Sequence, residues 1–164
     1  MKNIEMLELQ EQDIVQLRNL FLECNDYFQL IDGVPVCGCR ASTEYEMEAV
    51  NQYHKLRYGI YLDQQIIGSV FAVEHYRYPG EFTITLLLLA PAYRGMGYGR
   101  AVYEQLEGRA KLGGFTKILV GVDEINADAL KFWQSHGFVD TGERQNLQHV
   151  TRSGAIIYLE KVLR

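Results

Sequence analysis

The chain has 164 residues, a length that suits one domain able to bury a core without covalent cross-links. Its 48% hydrophobic and 23% charged residues are ordinary for a globular protein, and the net charge of -5 argues against a broad nucleic-acid-binding surface. The first residues lack the apolar run of a signal peptide, and the longest apolar run, Leu86 to Pro91, is too short to cross a membrane. We therefore expect one domain over residues 1–164, without a membrane partner.

A strand and two helices are predicted for the first third of the chain. Asp13, with Gln16 three residues later, is typical of a helix start, and apolar residues follow it at helical spacing. Glycines and a proline after Cys24 predict an irregular connection before the second helix. The predicted segments are the strand Ile4 to Leu9, the helix from Asp13, the connection Cys24 to Arg40 and the helix Thr43 to Leu56.

Three cysteines, at positions 24, 37 and 39, do not form an even disulfide framework. The spacing of Cys37 and Cys39 could suggest a metal site, but no matching Cys/His pair lies nearby. We therefore expect free thiols in a loop, no bound metal and a reducing, cytoplasmic location.

The period of the apolar residues changes in the rest of the chain. Three strands are separated by turns that are short enough to make antiparallel hairpins. The predicted elements are strands Tyr58 to Leu62, Ile66 to His75 and Phe82 to Leu89, helix Tyr98 to Leu112, strand Thr116 to Val122, helix Asn126 to His136, and strands Phe138 to Glu143 and Ala155 to Lys161. The order β-α-α-β-β-β-α-β-α-β-β predicts an α/β domain with a mixed, mostly antiparallel central sheet flanked by helices.

A glycine-rich turn between Pro91 and the helix at Tyr98 is the most informative segment. Its three alternating glycines, at positions 95, 97 and 99, let the backbone bend sharply and approach a ligand closely. The helix that follows offers unpaired N–H groups and the positive end of its dipole, and Arg94 and Arg100 add charged donors. The turn is therefore predicted to bind a phosphate group.

Two familiar glycine loops do not fit this segment. A P-loop requires Lys-Ser or Lys-Thr after its last glycine, whereas here Arg100 and Ala101 follow Gly99. The dinucleotide fingerprint requires a third glycine three residues after Gly-x-Gly, and it follows a first parallel strand instead of a run of antiparallel ones. A turn that only joins a strand to a helix remains the simpler alternative.

Two motifs resemble the Gcn5-related N-acetyltransferase (GNAT) family. Arg94-x-x-Gly97-x-Gly99 matches the acetyl-CoA signature Arg/Gln-x-x-Gly-x-Gly/Ala of that family. The segment from Asn126 through Phe132 to Gly137-Phe138 resembles its second motif, a short helix that ends in Gly-Phe. The resemblance extends from about residue 58 to 143. It implies an N-acetyltransferase that uses acetyl-CoA as cosubstrate.

The resemblance also implies how the coenzyme would bind. Backbone N–H groups of the turn would hold the pyrophosphate, and pantetheine would pair with a strand edge left open where two strands splay apart. One amide of that edge would polarise the thioester carbonyl, and Asn126, an equally good helix cap, would contact pantetheine. The implied coenzyme-binding residues are Leu87, Leu89, Arg94, Gly95, Met96, Gly97, Tyr98, Gly99, Arg100, Asn126 and Phe132.

The residue that protonates the thiolate is open. Many members of the family use a tyrosine next to the aromatic position of Phe132, and this chain has Trp133 there. Tyr158 on the last strand is a candidate, although most tyrosines are structural and solvent is an alternative proton donor. Tyr76 and Tyr78 are the other candidates.

The base that removes the ammonium proton is also open. Members often carry a glutamate partway along the strand before the phosphate turn, where this chain has Thr83 and Thr85. Glu81 lies on the same strand face, and Glu74 ends the previous strand. Both can equally be solvated charges at strand ends.

The resemblance places acceptor specificity in Leu22 to Leu56 and Arg144 to Gly154, where aromatic residues could form the wall of a cleft. These aromatic residues are Tyr27, Phe28, Tyr45 and Tyr53. A small-molecule amine is the first expectation for the acceptor, and a protein N-terminus or lysine the second. The alternatives are a non-catalytic acyl-CoA sensor and a different acyl donor; related enzymes are often dimers, so a homodimer is one allowed assembly.

Overall fold

In the computed structural model of the chain, the described residues, 3–148 and 151–164, form one seven-stranded sheet with five helices. Residues 149 and 150, within the segment expected to contact the acceptor, lie outside them. The strands are β1 (Glu5–Glu8), β2 (His54–Leu62), β3 (Gln65–Glu74), β4 (Glu81–Leu89), β5 (Lys117–Asp123), β6 (Val139–Gln148) and β7 (Ser153–Val162). The helices are α1 (Ile14–Glu23), α2 (Asn25–Asp32), α3 (Arg40–Glu46), α4 (Tyr98–Leu112) and α5 (Ala127–Ser135).

The strand order in the sheet is β1-β2-β3-β4-β5-β7-β6. Neighbouring strands are antiparallel except β4 and β5, which run parallel because α4 connects them as a crossover. The predicted mixed, mostly antiparallel sheet flanked by helices is therefore confirmed. This single parallel pair, at the middle of the sheet, places the start of α4 beside the end of β4.

Two apolar clusters cover the two faces of the sheet. Val102, Tyr103 and Leu106 of α4 pack on one face together with Trp133 of α5. The opposite face is covered by α1 and α2, whose Leu17 and Phe28 belong to one apolar cluster with Leu86 and Leu88 of β4. Strand β4 is thus held from both sides, which fixes the position of the turn that follows it.

The first third of the chain differs from the prediction. The connection Cys24 to Arg40 contains a further helix, α2, which buries Phe28 to 1% exposure and ends at Gly33 in the left-handed conformation. The predicted helix Thr43 to Leu56 is wrong over most of its length, because α3 ends at Glu46 and the next residue, Met47, has a left-handed φ of 49°. The chain then enters β2 at His54, where pairing with β3 satisfies its backbone.

The cysteines also differ from the expectation of free thiols. Cys37 and Cys39 form a disulfide in the loop before α3, with their Cα atoms 5.3 Å apart, and Cys24 is a free, buried thiol. Burial raises the pKa of Cys24 to about 11. No helix among the described residues combines the length and the apolar character that crossing a lipid bilayer requires.

An ionic cluster on α4 gives the fold a pH-dependent contribution. Burial alone would raise the pKa of Glu107, but hydrogen bonds from Lys111, Lys161 and Tyr103 lower it to about 2. The Nζ atoms of Lys111 and Lys161 lie 2.9 and 3.0 Å from the two carboxylate oxygens. Because the folded-state pKa is depressed, this stabilisation is present above about pH 4.5 and is lost as the pH falls toward 2.

We therefore expect Glu107→Gln to lower the free energy of unfolding at pH 7 by on the order of 2 kcal/mol. In urea unfolding between pH 7 and pH 2, the free energy of unfolding of Glu107→Gln should depend less on pH than that of the wild type. Glu104→Gln is the matched control, since Glu104 pairs with Arg100 at an exposed position and such pairs contribute little. Equal losses at pH 7 for the two variants would contradict the assignment.

Candidate functional site

The central parallel strands separate toward their carboxyl ends. Pairing of β4 with β5 covers only Glu81 to Ile84, although β5 continues to pair with β7 as far as Asp123. Ala90 N–H donates to the carbonyl of Ile67 on β3 at 2.8 Å. Because successive backbone groups of a strand point to opposite edges, the amides of Leu87 and Leu89 face the opening between β4 and β5. The open strand edge expected from the sequence is therefore present.

The turn after β4 presents backbone donors at the start of α4. Gly95 and Gly97 have φ values of 72° and 87°, in the left-handed region that glycine adopts without strain. Ala101 N–H donates to Gly97 O at 3.1 Å, so the earlier N–H groups of α4 have no partner within the helix. Gly97 supplies no side-chain cap, whereas Asn126 caps α5 by accepting from Ala129 N–H at 3.1 Å. The start of α4 thus has the chemistry of an anion site.

Both predicted arginines have partners within the chain. Arg94 donates from Nε to Leu89 O at 2.8 Å and pairs with Asp26 of α2 at 2.5 and 3.1 Å. This pairing lowers the pKa of Asp26. Arg100 is exposed and pairs with Glu104, one turn later, at 2.8 Å. Arg94 therefore connects α2 to the turn and donates a hydrogen bond to the carbonyl of Leu89. The sequence pattern does not reveal this role.

The turn and the open edge of β4 form one wall of a cleft of 690 Å³, called here the large cleft. The opposite wall includes Asn126, Phe132 and Trp133 at α5. Nine of the eleven predicted coenzyme-binding residues line the large cleft: Leu87, Leu89, Arg94, Gly95, Gly97, Gly99, Arg100, Asn126 and Phe132. Of the other two, Met96 is 57% exposed on the turn and Tyr98 is 6% exposed in the core.

A second cleft, of 280 Å³ and called here the small cleft, adjoins the large one where β4 and β5 separate. Its charged residues are Asp32, Arg40 and Asp123. Arg40 pairs with Asp32 at 2.8 Å, and Arg152 pairs with Asp123 at 2.5 Å. No sequence pattern singles out these residues, because their proximity depends on α2, on the end of β5 and on the residue before β7, which lie far apart in the chain.

Tyr27 of α2, one of the four aromatic residues predicted to form the wall of an acceptor cleft, lines both clefts. The other three aromatic residues proposed for that wall are not among the described residues that line the small cleft. Phe28 is buried in the core, Tyr45 packs against the guanidinium of Arg57, and Tyr53 packs against another tyrosine.

The walls of the two clefts, within the described part of the chain, include none of Glu74, Glu81 and Tyr158. Glu81 is 3% exposed at the start of β4 and pairs with Lys117 at 2.9 Å. Glu74 pairs with His54 at 2.6 Å near the end of β3. The two glutamates therefore lie at the opposite end of the strands from the phosphate turn.

Tyr158 lies closer to the small cleft than the two glutamates do. A Cβ atom on Gly121, which lines the small cleft, would lie 3.2 Å from the ring of Tyr158. The hydroxyl of Tyr158 donates to Gln145 at 2.6 Å, and the Arg77 guanidinium lies 4.3 Å from the ring centroid. Burial raises the pKa of Tyr158. Its side chain is held beside the small cleft without lining it.

Trp133 closes the region where the two clefts meet. It is 6% exposed, lines both clefts and packs edge-on against Tyr103 and Phe138, with ring centroids 5.8 and 5.0 Å away. Its indole cannot act as a general acid. The residue at this point of the second motif therefore shapes the clefts and anchors α5 in the core.

Comparison with known proteins gives one family and many similar folds. Residues 14–138 match the model of the acetyltransferase (GNAT) family, and no curated protein gives a significant match. An acetyltransferase from Thermus thermophilus is 20% identical, with a TM-score of 0.78 over 98% of this chain and 97% of that one.

Two other solved structures have a stated acceptor in their names. The spermidine N-acetyltransferase from Vibrio cholerae, in complex with CoA and spermine, is 16% identical, with a TM-score of 0.76 over 98% of this chain and 95% of that one. The ribosomal-protein-S18-alanine N-acetyltransferase from Escherichia coli is 15% identical, with a TM-score of 0.71 over 98% and 94% of the two chains. At these identities the likeness concerns the fold.

Proposed function

The chain belongs to the GNAT family of acetyltransferases, and from that premise we propose that it transfers the acetyl group of acetyl-CoA to a primary amine, with a small molecule as the favoured acceptor. The main support for this proposal is that one cleft contains both a helix start without a side-chain cap and an open strand edge. A diphosphate suits the first feature, and an extended amide-containing arm suits the second.

In the proposed complex the coenzyme lies along the large cleft. Backbone N–H groups from Gly95 to Arg100 bind the pyrophosphate, and the pantetheine amides pair with the edge of β4 at Leu87 and Leu89. The carbonyl of Leu89 already accepts from Arg94, which leaves its N–H as the group that faces the coenzyme. Asn126 and Phe132 contact the arm from the α5 side, where both line the cleft.

The acceptor is proposed to occupy the small cleft. At 280 Å³ it is large enough for a compact amine, and Asp32 and Asp123 place carboxylates in its wall. Carboxylates attract an ammonium group, although Arg40 and Arg152 offset part of their charge. The named acceptors of the two similar structures, spermidine and a ribosomal-protein alanine, are both amines and so support an amine here without choosing between a small molecule and a protein.

The proposed reaction is direct attack of the neutral amine on the thioester carbon. The N–H of Leu87, at the junction of the clefts, polarises the thioester carbonyl and stabilises the oxyanion. Proton transfer by Glu81, Glu74 or Tyr158 stays a prediction from the sequence. None of these three side chains lines a described wall of either cleft; Glu81 pairs with Lys117, and Tyr158 donates to Gln145.

Thermal unfolding with acetyl-CoA tests the first part of the proposal. A ligand that binds only the folded state stabilises it by about 2.7 kcal/mol at 100 times its Kd, so millimolar acetyl-CoA should raise the Tm by several degrees. An unchanged Tm would contradict coenzyme binding.

Turnover is tested with a panel of polyamines, amino acids, aminoglycosides and N-terminal peptides. Release of the coenzyme thiol reports the reaction, and mass spectrometry of the product identifies the acyl group and the acylated atom. Faster turnover of a compact amine than of peptides is expected. Binding of acetyl-CoA without turnover of any amine would instead support the acyl-CoA sensor.

A further inference from the structure

Resting on the proposed acetyl transfer, we propose that Tyr27 of α2 is the catalytic residue that protonates the departing coenzyme thiolate. At the position where the second motif often has a tyrosine, this chain has Trp133, whose indole cannot supply this proton. Tyr27 approaches the same point from the other side of the domain, on a helix that packs against β4 through the neighbouring Phe28.

The position of Tyr27 is the first argument. A thioester that lies in the large cleft can meet an amine in the small cleft only where the two adjoin. Five residues belong to the walls of both clefts and therefore border that point. They are Tyr27, Leu87, Asn126, Ala129 and Trp133.

The chemistry of these shared residues is the second argument. Leucine and alanine carry no polar side-chain hydrogen, and the amide of Asn126 and the indole of Trp133 do not ionise in water. The side-chain oxygen of Asn126 also caps α5. Within the described walls, Tyr27 is thus the one residue common to both clefts whose side chain can release and regain a proton.

The surroundings of Tyr27 hold it in the protonated form. Burial raises the pKa of the phenol to about 12, and the carboxylates of Glu44, Asp32 and Asp123 add to this while Arg40 opposes it. The side chain is half-buried, and its ring packs edge-on against Phe28, with centroids 5.0 Å apart. The hydroxyl is therefore a neutral donor at physiological pH.

The proposed step balances as a proton shuttle. The amine nitrogen forms a bond to the carbonyl carbon, the C–S bond breaks with its electron pair on sulfur, and the Tyr27 proton passes to that sulfur. The phenolate then takes the proton that the attacking nitrogen carries, which restores Tyr27 and leaves a neutral amide and the free thiol. The raised pKa favours this second transfer, and Arg40 supplies a nearby positive charge for the transient phenolate.

Tyr27→Phe tests the role while keeping the ring that packs against Phe28. At saturating concentrations of the best amine from the panel, we expect kcat to fall roughly 100-fold, as is typical for loss of general acid catalysis. The Tm and the Kd for acetyl-CoA should stay near the wild-type values. Tyr61→Phe, the same chemical change on the distant strand β2, is the matched control and should leave kcat unchanged.

A binding measurement separates this role from a structural one without any acceptor. At about pH 10 much of the free coenzyme thiol is ionised, and the O–H of Tyr27 should donate to it. Tyr27→Phe should weaken coenzyme A binding about tenfold and leave desulfo-coenzyme A unaffected. Equal losses for both ligands, or no loss for either, would overturn the contact with sulfur.

The kinetic outcomes distinguish this inference from the function on which it rests. A wild-type protein that binds no acetyl-CoA, or acetylates no amine, overturns the acetyl transfer itself. An active wild type with an equally active Tyr27→Phe variant overturns only the role of Tyr27. A raised KM for the amine with an unchanged kcat would also overturn it, since Tyr27 would then bind the acceptor.

Discussion

Replacement of Gly97 by valine is expected to abolish measurable binding of acetyl-CoA, with a loss of more than about 100-fold in affinity. Gly97 has a φ of 87° immediately before α4, a conformation that a β-branched residue rarely adopts. The substitution should rotate the peptide groups that aim the first N–H donors of α4 at the ligand. These donors carry the proposed pyrophosphate site, so their misalignment removes the largest interaction with the coenzyme.

Isothermal titration with acetyl-CoA measures this loss, and urea unfolding shows how much of it reflects stability. Gly142→Val is the matched control, because Gly142 has a similar φ of 80° in β6 and does not line the described walls of either cleft. We expect both variants to lose stability through the same backbone strain, but only Gly97→Val to lose the coenzyme. Wild-type affinity in folded Gly97→Val would exclude the turn as the phosphate site.

The parts of the site that the sequence predicts are those built from neighbouring residues. Helix α4 covers Tyr98 to Leu112 as predicted, because its glycines and apolar spacing act within a few residues. Asn126 caps α5 as its motif indicates. The open edge of β4, the turn after it and the facing wall at α5 are built from the same two segments, which is why nine of the eleven implied residues share one cleft.

The parts that the sequence does not predict depend on distant partners. Helix α2 has only eight residues and is followed by turn-forming glycines and a proline, and its burial in the apolar cluster that includes β4 outweighs those local signals. Strand alternation predicted that Glu81 lies near the reacting groups. Lys117, thirty-six positions later in the sequence, instead holds it in an ion pair. Arg94 likewise finds Asp26 across the fold. No local pattern encodes such pairs.

Helix α2, which was not predicted from the sequence, also completes the site. Because α2 packs on β4, it brings Tyr27 and Asp32 to the point where β4 and β5 separate. Its pairing of Asp26 with Arg94 links the small cleft to the phosphate turn through one helix. Accurate placement of β4 between its neighbours is therefore a requirement for both clefts.

We expect Gly68→Ala, which disturbs the placement of β4, to lower the free energy of unfolding by roughly 2–3 kcal/mol. A Cβ atom at Gly68 on β3 would lie 2.4 Å from the backbone oxygen of Leu88 and 2.7 Å from a methyl carbon of Leu89. A backbone oxygen cannot move aside as a flexible side chain can, so β4 must shift away from β3. Because that shift displaces the open edge at Leu87 and Leu89, affinity for acetyl-CoA should fall as well.

Urea unfolding of Gly68→Ala and Gly108→Ala, compared at equal m-values, separates this close contact from the general effect of adding a methyl group. Gly108 lies within α4, and a Cβ atom there would meet nothing within 4 Å. Gly108→Ala should therefore stabilise the protein by about 0.5–1 kcal/mol through helix propensity, with no change in coenzyme affinity. If Gly68→Ala were as stable as Gly108→Ala, β4 would not be confined by β3, and the fixed edge on which the coenzyme is proposed to pair would lose its physical basis.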